Sequence, residues 1–249
     1  MPGLRPMPPI EIDTADLARF GARWLALGGK LLRTKPESSS QLGNLFDTAV
    51  GKSLAVMLGG ISIVVPNARA LVPAQADCVE VGPMRVVGGV RPQNFDVGYR
   101  PDGVRFAFDS KTLNDRKSIK KNWQNMINDL STEATTVHTR FPHAVAAFMV
   151  IYPISAVEFG QRTATIQTLE RMTGRLLVQA PAYMAEAISL VLWDPYTGTI
   201  SDDFPSIGSP LRIERFSEQV ERAYVSRYKG LPPHVEVEGE MDEPAVGDE

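Results

Sequence analysis

Two carboxylates and one ammonium group near the end of a predicted strand have the types and spacing of a metal site. Asp109 and Lys111 are separated by one residue, and Asp96 precedes Asp109 by thirteen positions. Paired carboxylates suit a hard divalent cation such as Mg²⁺, which usually takes one or two of them together with water and substrate phosphate. The pattern therefore indicates magnesium chemistry. A surface salt bridge among the same three side chains is the alternative interpretation.

The alternation of side chains along the strand brings two of these groups together. The run from Arg105 to Thr112 places Phe106 and Phe108 on one face if that face is buried in the core. With a period of two residues, Asp109 and Lys111 then project together from the opposite face.

Whether Asp96 joins them depends on the register of the preceding strand. Phe95 and Val97 are expected in the core, which directs Asp96 to the face opposite them. A three-residue loop over 101–103 would place Asp96 opposite Phe108, on the wrong face. A four-residue loop or a bulge would place it opposite Asp109, so the hypothesis requires one of these irregularities.

The remaining pattern predicts an α/β fold with a mixed β-sheet flanked by helices, in one domain over residues 1–230. Residues 231–249 hold seven acids and no Lys or Arg, which predicts a disordered acidic tail. Helices are predicted over 14–32, 40–58, 117–138, 163–179 and 214–228, and strands over 61–65, 84–90, 94–99, 104–112, 144–152 and 187–193.

Composition narrows the chemistry to oxygen ligands. The chain has 249 residues with one cysteine and three histidines, which excludes an internal disulfide framework and a multi-cysteine zinc site. The net charge is −3, yet residues 91–121 hold eight Lys or Arg and only four Asp. This local excess indicates either a contact surface for a polyanion or an ordinary solvated face. No targeting segment is apparent and no apolar run is long enough to span a bilayer, which predicts a cytoplasmic protein without a membrane partner.

Asp96 followed by Asp109-Ser110-Lys111 resembles the PD-(D/E)xK motif of restriction-endonuclease-like nucleases. The order of elements agrees with that superfamily over about 41–153: a helix with an acid, a meander with the motif, a helix, and a buried strand. Asp47 matches the helix acid, although that acid is more often Glu, and Phe95 stands where the motif has Pro. The resemblance implies a restriction-endonuclease-like core.

The resemblance also implies roles for the residues. Asp96 and Asp109 would hold Mg²⁺ (with Mn²⁺ as a substitute), the Ser110 carbonyl would add a ligand, and Asp47 would contribute directly or through water. Catalysis would rest on Asp96, Asp109 and Lys111, with Lys111 orienting or deprotonating the nucleophilic water.

A basic segment follows the motif and predicts contacts with DNA. It consists of Arg116, Lys117, Lys120, Lys121 and the neighbouring amide Asn122. Basic side chains at a helix N-terminus oppose the macrodipole, which favours phosphate contacts over a purely stabilising role. The leading hypothesis is a type II restriction-like endonuclease that cuts double-stranded DNA as a homodimer. The alternatives are a loosely specific nuclease in repair or defence, and a non-catalytic nucleic-acid-binding module.

Overall fold

Six strands form a mixed sheet with helices on both faces. The computed structural model describes residues 3–34 and 36–234. The helices are α1 (Thr14–Ala26), α2 (Ser39–Met57), α3 (Ile119–His138), α4 (Phe159–Glu170) and α5 (Ile213–Tyr228). The strands are β1 (Ser62–Val64), β2 (Cys78–Val87), β3 (Pro92–Tyr99), β4 (Phe106–Thr112), β5 (Val145–Pro153) and β6 (Ala187–Trp193). The predicted α/β class with a mixed sheet flanked by helices is confirmed.

The strands follow one another across the sheet in the order β1 to β6. Strand β1 is parallel to β2, and β2, β3 and β4 form an antiparallel meander. Strands β4, β5 and β6 are parallel, so their carboxyl ends meet at one edge of the sheet. Every residue of β5 and β6 is buried, as expected for strands covered on both faces.

Two hydrophobic clusters lie on opposite faces of this sheet. The first cluster packs α1, α2 and α5 against Phe106 and Phe108 of β4. The second packs α3 and α4 against Ala107 of the same strand and Phe148 of β5. Strand β4 therefore has a face toward α2 and a face toward α3, and both faces contribute to the site described below.

Helix α2 begins with a capping box that fixes its start. The Ser38 hydroxyl accepts a hydrogen bond from the Gln41 backbone N–H at 3.2 Å, and the Gln41 side chain accepts one from the Ser38 N–H at 3.0 Å. The predicted start at residue 40 is correct to one residue. Because α2 packs on β4, the residue at which the helix begins also determines which residues of β4 lie beneath Asp47.

Strand β2 contains a bulge at Gly82 and Pro83, which lie outside the strand predicted over 84–90. The strand begins at Cys78, six residues before the predicted start. Val81 pairs with Val97 and Met84 pairs with Phe95, so Gly82 and Pro83 lie opposite a single residue of β3. Gly82 has φ +130°, which favours glycine, and Pro83 has no N–H to donate to a ladder.

The segments outside the sheet are packed more closely than predicted. In the N-terminal arm, Met7 and Ile10 are buried, and the Met7 N–H donates to Glu221 at 2.8 Å. At the other end, His234 is 5% exposed and its Nε2 lies 2.8 Å from the Tyr224 hydroxyl. Residues 231–234, which the sequence assigned to a disordered tail, are therefore attached to the folded body through the buried His234. Residues 235–249 of that predicted tail lie outside the described residues.

Within the described part of the chain, no helix has an apolar stretch sufficient to cross a bilayer.

Candidate active site

Strands β3 and β4 separate at the point where the sequence placed its motif. Their paired residues run from Tyr99 opposite Phe106 to Val97 opposite Phe108, and the pairing stops there. The next residues in register are Asp96 and Asp109, so the two carboxylates face each other across the split. The connection that sets this register spans residues 100–105 and closes with a hydrogen bond from the Arg105 N–H to the Tyr99 carbonyl at 3.0 Å.

Asp96 lies opposite Asp109 in register, as the site hypothesis required, but the side-chain alternation predicted along β3 is not observed. Phe95 and Val97 were expected on one face, but Phe95 packs in the cluster under α3 and Val97 in the cluster under α2. The expectation of a shared face is wrong because the bulge of β2 opposite Asp96 breaks the alternation of β3. Asp96 thus lies where β3 twists, between one residue that faces α3 and another that faces α2.

Ser110 occupies the gap between the separated strands. Its backbone N–H donates to Asp96 Oδ2 at 3.1 Å, and its hydroxyl lies 3.5 Å from the same oxygen. The Asp96 and Asp109 carboxyl groups are neighbours in this register. Two carboxylates therefore lie where the strands separate, and the Ser110 N–H donates a hydrogen bond to one of them.

Asp47 approaches the split from the α2 face. It is 5% exposed, and Gly43, one turn earlier on α2, allows the helix to lie directly over Ser110. A Cβ atom at residue 43 would be only 3.0 Å from the Ser110 hydroxyl and 3.9 Å from Asp47 Oδ2. Asp47 Oδ1 is buried and has no hydrogen-bond partner among the described residues. Such an oxygen is costly unless something else binds it.

Lys111 lies on the α3 face and contacts two carboxylates. Its ammonium forms an ion pair with Asp109 and another with Glu133 of α3, the latter at 2.8 Å. Glu133 is 2% exposed and also accepts a hydrogen bond from the Gln93 side chain at 2.9 Å. The sequence analysis missed Glu133, although it is a charged residue on the apolar side of an amphipathic helix, next to Ala134.

The electrostatics of the cluster favour binding of positive charge. Burial raises the pKa of Asp47 and of Asp96; the charge of Asp96 raises the pKa of Asp47 further, and the neighbouring Asp109 raises the pKa of Asp96 further. Burial also raises the pKa of Asp109 to about 6, against the opposing effects of Asp96 and Lys111. Burial alone would lower the pKa of Lys111, but the charges of Asp109 and Glu133 hold it above its usual range. Three acids with raised pKa values form a site that a cation would stabilise.

The donor set fits one magnesium ion held by two carboxylates. Across residues 3–34 and 36–234, no three side chains of the Asp, Glu, His and Cys types are arranged as a complete metal site. The charge of Asp96 acts on Asp47, whereas Asp109 lies opposite Asp96 in the strand register and forms an ion pair with Lys111. Magnesium needs only one or two carboxylates, because water and phosphate supply its other ligands. Asp96 and Asp109 meet that requirement, and the unpartnered Asp47 Oδ1 offers an acceptor at the edge of the site.

The predicted DNA-binding residues lie immediately beyond this site. Arg116 and Lys117 are exposed in the turn before α3, and Lys120 and Lys121 are exposed in its first turn. Asn122 is half-buried, and its amide donates to the Ser118 hydroxyl at 3.1 Å. The turn is fixed to the end of α1, since the Arg116 N–H donates to the Gly29 carbonyl at 2.8 Å. Four exposed cations therefore lie on a segment that is fixed to the rest of the fold. Asn122 bonds within its own helix turn instead of projecting into solvent.

The local excess of positive charge is smaller at the surface than the sequence indicated. Arg100 is buried in an ion pair with Glu80, and Arg105 is buried in an ion pair with Asp102. Lys111 is engaged in the carboxylate cluster. Five of the eight basic residues in 91–121 remain exposed, and four of those five form the segment 116–121.

A cavity of about 250 Å³ lies at the β3–β4 turn, at the opposite end of β4 from Lys111. Its lining includes Arg85, Val104 and Phe141, and it shares no residue with the carboxylate cluster. The carboxylate cluster lies apart from this cavity, between α2 and α3 where β3 and β4 separate.

Comparisons with protein families, with curated proteins and with solved structures found no significant match for this chain.

Proposed function

We propose that this protein is a Mg²⁺-dependent DNA endonuclease of the type II restriction kind, which hydrolyses phosphodiester bonds in double-stranded DNA. The observation that carries the proposal is the pair of carboxylates, Asp96 and Asp109, beside Lys111 where β3 and β4 separate. The order of helix α2, meander β2–β4, helix α3 and parallel strand β5 is the order that the nuclease resemblance implies.

In this proposal each residue of the cluster has a distinct role. Asp96 and Asp109 would hold Mg²⁺ with the Ser110 carbonyl as a further ligand, and Asp47 would act directly or through water. Such a cation would supply positive charge at the scissile phosphate and lower the pKa of the attacking water. Lys111, kept protonated by its carboxylate partners, donates a hydrogen bond that orients the attacking water and offsets developing negative charge.

The basic segment 116–121 provides the contact with the DNA backbone. Four exposed cations on a segment fixed to α1 can neutralise phosphates without a change in the protein. The segment follows the carboxyl end of β4, so a duplex bound there would have its backbone near Lys111. Binding to phosphates carries no sequence information, and recognition would require further contacts with base edges.

A homodimer completes the proposal. Cutting both strands of a duplex favours two related active sites, and two-fold symmetry is the commonest assembly. Light scattering of the purified protein with and without a short duplex tests this part. A monomer in both conditions would contradict it.

Digestion of a mixture of plasmids distinguishes the three hypotheses. With Mg²⁺ or Mn²⁺, a restriction enzyme gives discrete bands, a loosely specific nuclease gives a smear, and a binding module leaves intact DNA with a shift on a gel. We expect discrete bands, no cleavage after exhaustive chelation, and no rescue by Zn²⁺, because the ligands are oxygen atoms. Full cleavage without any divalent cation would contradict the assigned mechanism.

The role of the basic segment is tested by a charge-matched comparison. Replacing Lys120 and Lys121 by Ala should weaken DNA binding at all sequences and reduce the slope of log K against log salt concentration by up to about 2. The control replaces Lys52 and Lys229, which are also exposed, and should leave both quantities nearly unchanged. Equal effects of the two pairs would mean that the segment has no special role.

A further inference from the structure

Glu133 has a contact pattern that a plain structural ion pair does not require. Its Oε1 accepts from both the Lys111 ammonium at 2.8 Å and the Gln93 side-chain amide at 2.9 Å. Its Oε2 is buried and has no hydrogen-bond partner among the described residues. A carboxylate buried only for stability would be expected to satisfy both oxygens, because leaving one bare is costly.

From this pattern we propose that Glu133 is a positioning residue, which holds the Lys111 ammonium beside the strand split when Asp109 is engaged with a cation. The inference rests on the function proposed above and deepens it. It assigns a role to a residue of α3 that lies outside the motif.

The geometry gives Glu133 this role because Asp109 has competing partners. Asp109 contacts both Asp96 and Lys111. A carboxylate that turns to a divalent cation gives up part of its interaction with an ammonium group. Lys111 has a flexible four-carbon side chain, so without a second anchor its ammonium would be free to leave the split.

Glu133 is a rigid anchor for that side chain. Helix α3 packs against the sheet through Met126, Leu130, Ala134 and Val137, which fixes the backbone beneath Glu133. Gln93 of β3 contacts the same Oε1 from the neighbouring strand and so orients the carboxylate. The ammonium of Lys111 is thus held by β4, α3 and, through Glu133, by β3.

The test is a double-mutant cycle measured by steady-state DNA cleavage. Glu133→Gln has the same shape and can still accept hydrogen bonds from Lys111 and Gln93, but it lacks the charge. We expect kcat to fall about tenfold to a hundredfold, the loss that corresponds to one charge-assisted hydrogen bond. The KM for DNA should be unchanged. In a Lys111→Met background the same substitution should have no further effect, because Glu133 acts through Lys111.

Two controls make the outcomes distinct. Asp129→Asn changes an exposed acid one turn earlier on α3 and should leave kcat unchanged. If Glu133→Gln does not fold, Gln93→Leu replaces it, with a smaller expected loss of kcat in the same direction. Wild-type rates in a folded variant, or equal losses with and without Lys111, would overturn the inference while the proposed function stands. A wild-type protein that does not cut DNA would overturn both the proposed function and the inference about Glu133.

Discussion

The backbone N–H of Ser110 donates a hydrogen bond to Asp96 Oδ2 at 3.1 Å, so a side chain replaces the strand partner that β4 loses at the split. Asp96 is therefore both a candidate ligand and part of the hydrogen bonding of the sheet. Among the residues that the structure describes, none donates a backbone hydrogen bond to Asp109, which pairs with the Lys111 ammonium. Substitutions at Asp109 should consequently report on chemistry with less disturbance of the fold.

We expect Asp109→Asn to abolish cleavage and to leave DNA binding intact or tighter. The change keeps the size of the side chain but removes one negative charge from a cation held by only two or three carboxylates. Binding should persist because it rests on the basic segment, and the loss of an acid lessens repulsion of the DNA. Paired cleavage and gel-shift assays, with melting curves to confirm folding, provide the measurement. A folded variant that cuts at nearly the wild-type rate would show that Asp109 is no ligand.

Asp47→Asn should raise the stability of the cation-free protein. Burial and the charge of Asp96 both raise the pKa of Asp47, so the ionised form is disfavoured in the fold. An amide removes the repulsion and brings a donor toward Asp96, which we expect to be worth about 1 kcal/mol, or about 2–4 °C in Tm for a chain of this size. Differential scanning fluorimetry in EDTA measures the shift, with Asp129→Asn as the exposed control. A Tm below that of wild type would mean that Asp47 is not under electrostatic stress.

A separate buried network predicts loss of stability in acid. Glu186 is 1% exposed and pairs with Arg175 at 2.8 Å, Arg227 at 2.9 Å and His138 at 3.1 Å. The other ring nitrogen of His138 lies 2.9 Å from the Ala182 carbonyl. Burial alone would raise the pKa of Glu186, but the hydrogen bond from His138 and the arginine charges hold it below its ordinary value of 4.5.

Because that pKa is depressed in the fold, the contribution of Glu186 is fully present above pH 4.5 and is lost as the pH falls through the folded-state value. Glu186→Gln should therefore cost about 3–5 kcal/mol at pH 7, the usual result of breaking a buried ion pair. The difference from wild type should shrink below pH 4.5. Urea unfolding between pH 7 and pH 3 provides the measurement, and Glu11→Gln is the exposed control. A difference that stays constant over this range would contradict the assignment.

Two truncations should separate the folded C-terminal residues from the acidic segment. Removal of residues 235–249 should leave the Tm nearly unchanged, since that segment is acidic and poor in apolar side chains. Removal from residue 231 onward should lower the stability by about 1–3 kcal/mol, because it deletes the buried His234 and its hydrogen bond to Tyr224. Melting curves of both truncated proteins check the pair. Equal Tm values would show that His234 contributes nothing.

Most helices and strands could be predicted from local patterns of apolar residues. Their ends could not, because they depend on glycine and proline conformations and on pairing with other strands. Strand β6 was predicted with the bounds that the structure shows, because an apolar run that only Ser189 interrupts is bounded by Glu186 and Asp194. Helix α1 ends at Ala26 rather than residue 32, since Gly28 and Gly29 adopt positive φ and close the helix with a hydrogen bond to the Trp24 carbonyl. The first half of β2 was missed because Gly82 and Pro83 resemble a turn when read without their partner strand.

The candidate site was predicted in part. Asp96, Asp109 and Lys111 could be identified by spacing, and the structure places them together. The contact of Glu133 with Lys111 could not be predicted, because it joins a helix to a strand that is 22 residues away in sequence. The opposite orientations of Phe95 and Val97 depend on a bulge in a neighbouring strand, which no period along β3 itself reveals.

The packing of the N-terminal arm has a consequence for how the chain reaches its fold. The Met7 N–H bonds Glu221, and the Pro8 carbonyl accepts from the Ser217 hydroxyl at 2.7 Å, across 214 and 209 positions of sequence. The contacts of the arm with α5 can form only after α5 has left the ribosome, whereas its bond from the Arg5 N–H to the Met57 carbonyl of α2, at 2.9 Å, can form earlier. Contacts of such separation also slow refolding, since the chain must close a very long loop before they form. Expression at low temperature or with a chaperone that shields apolar segments should therefore raise the yield of folded protein.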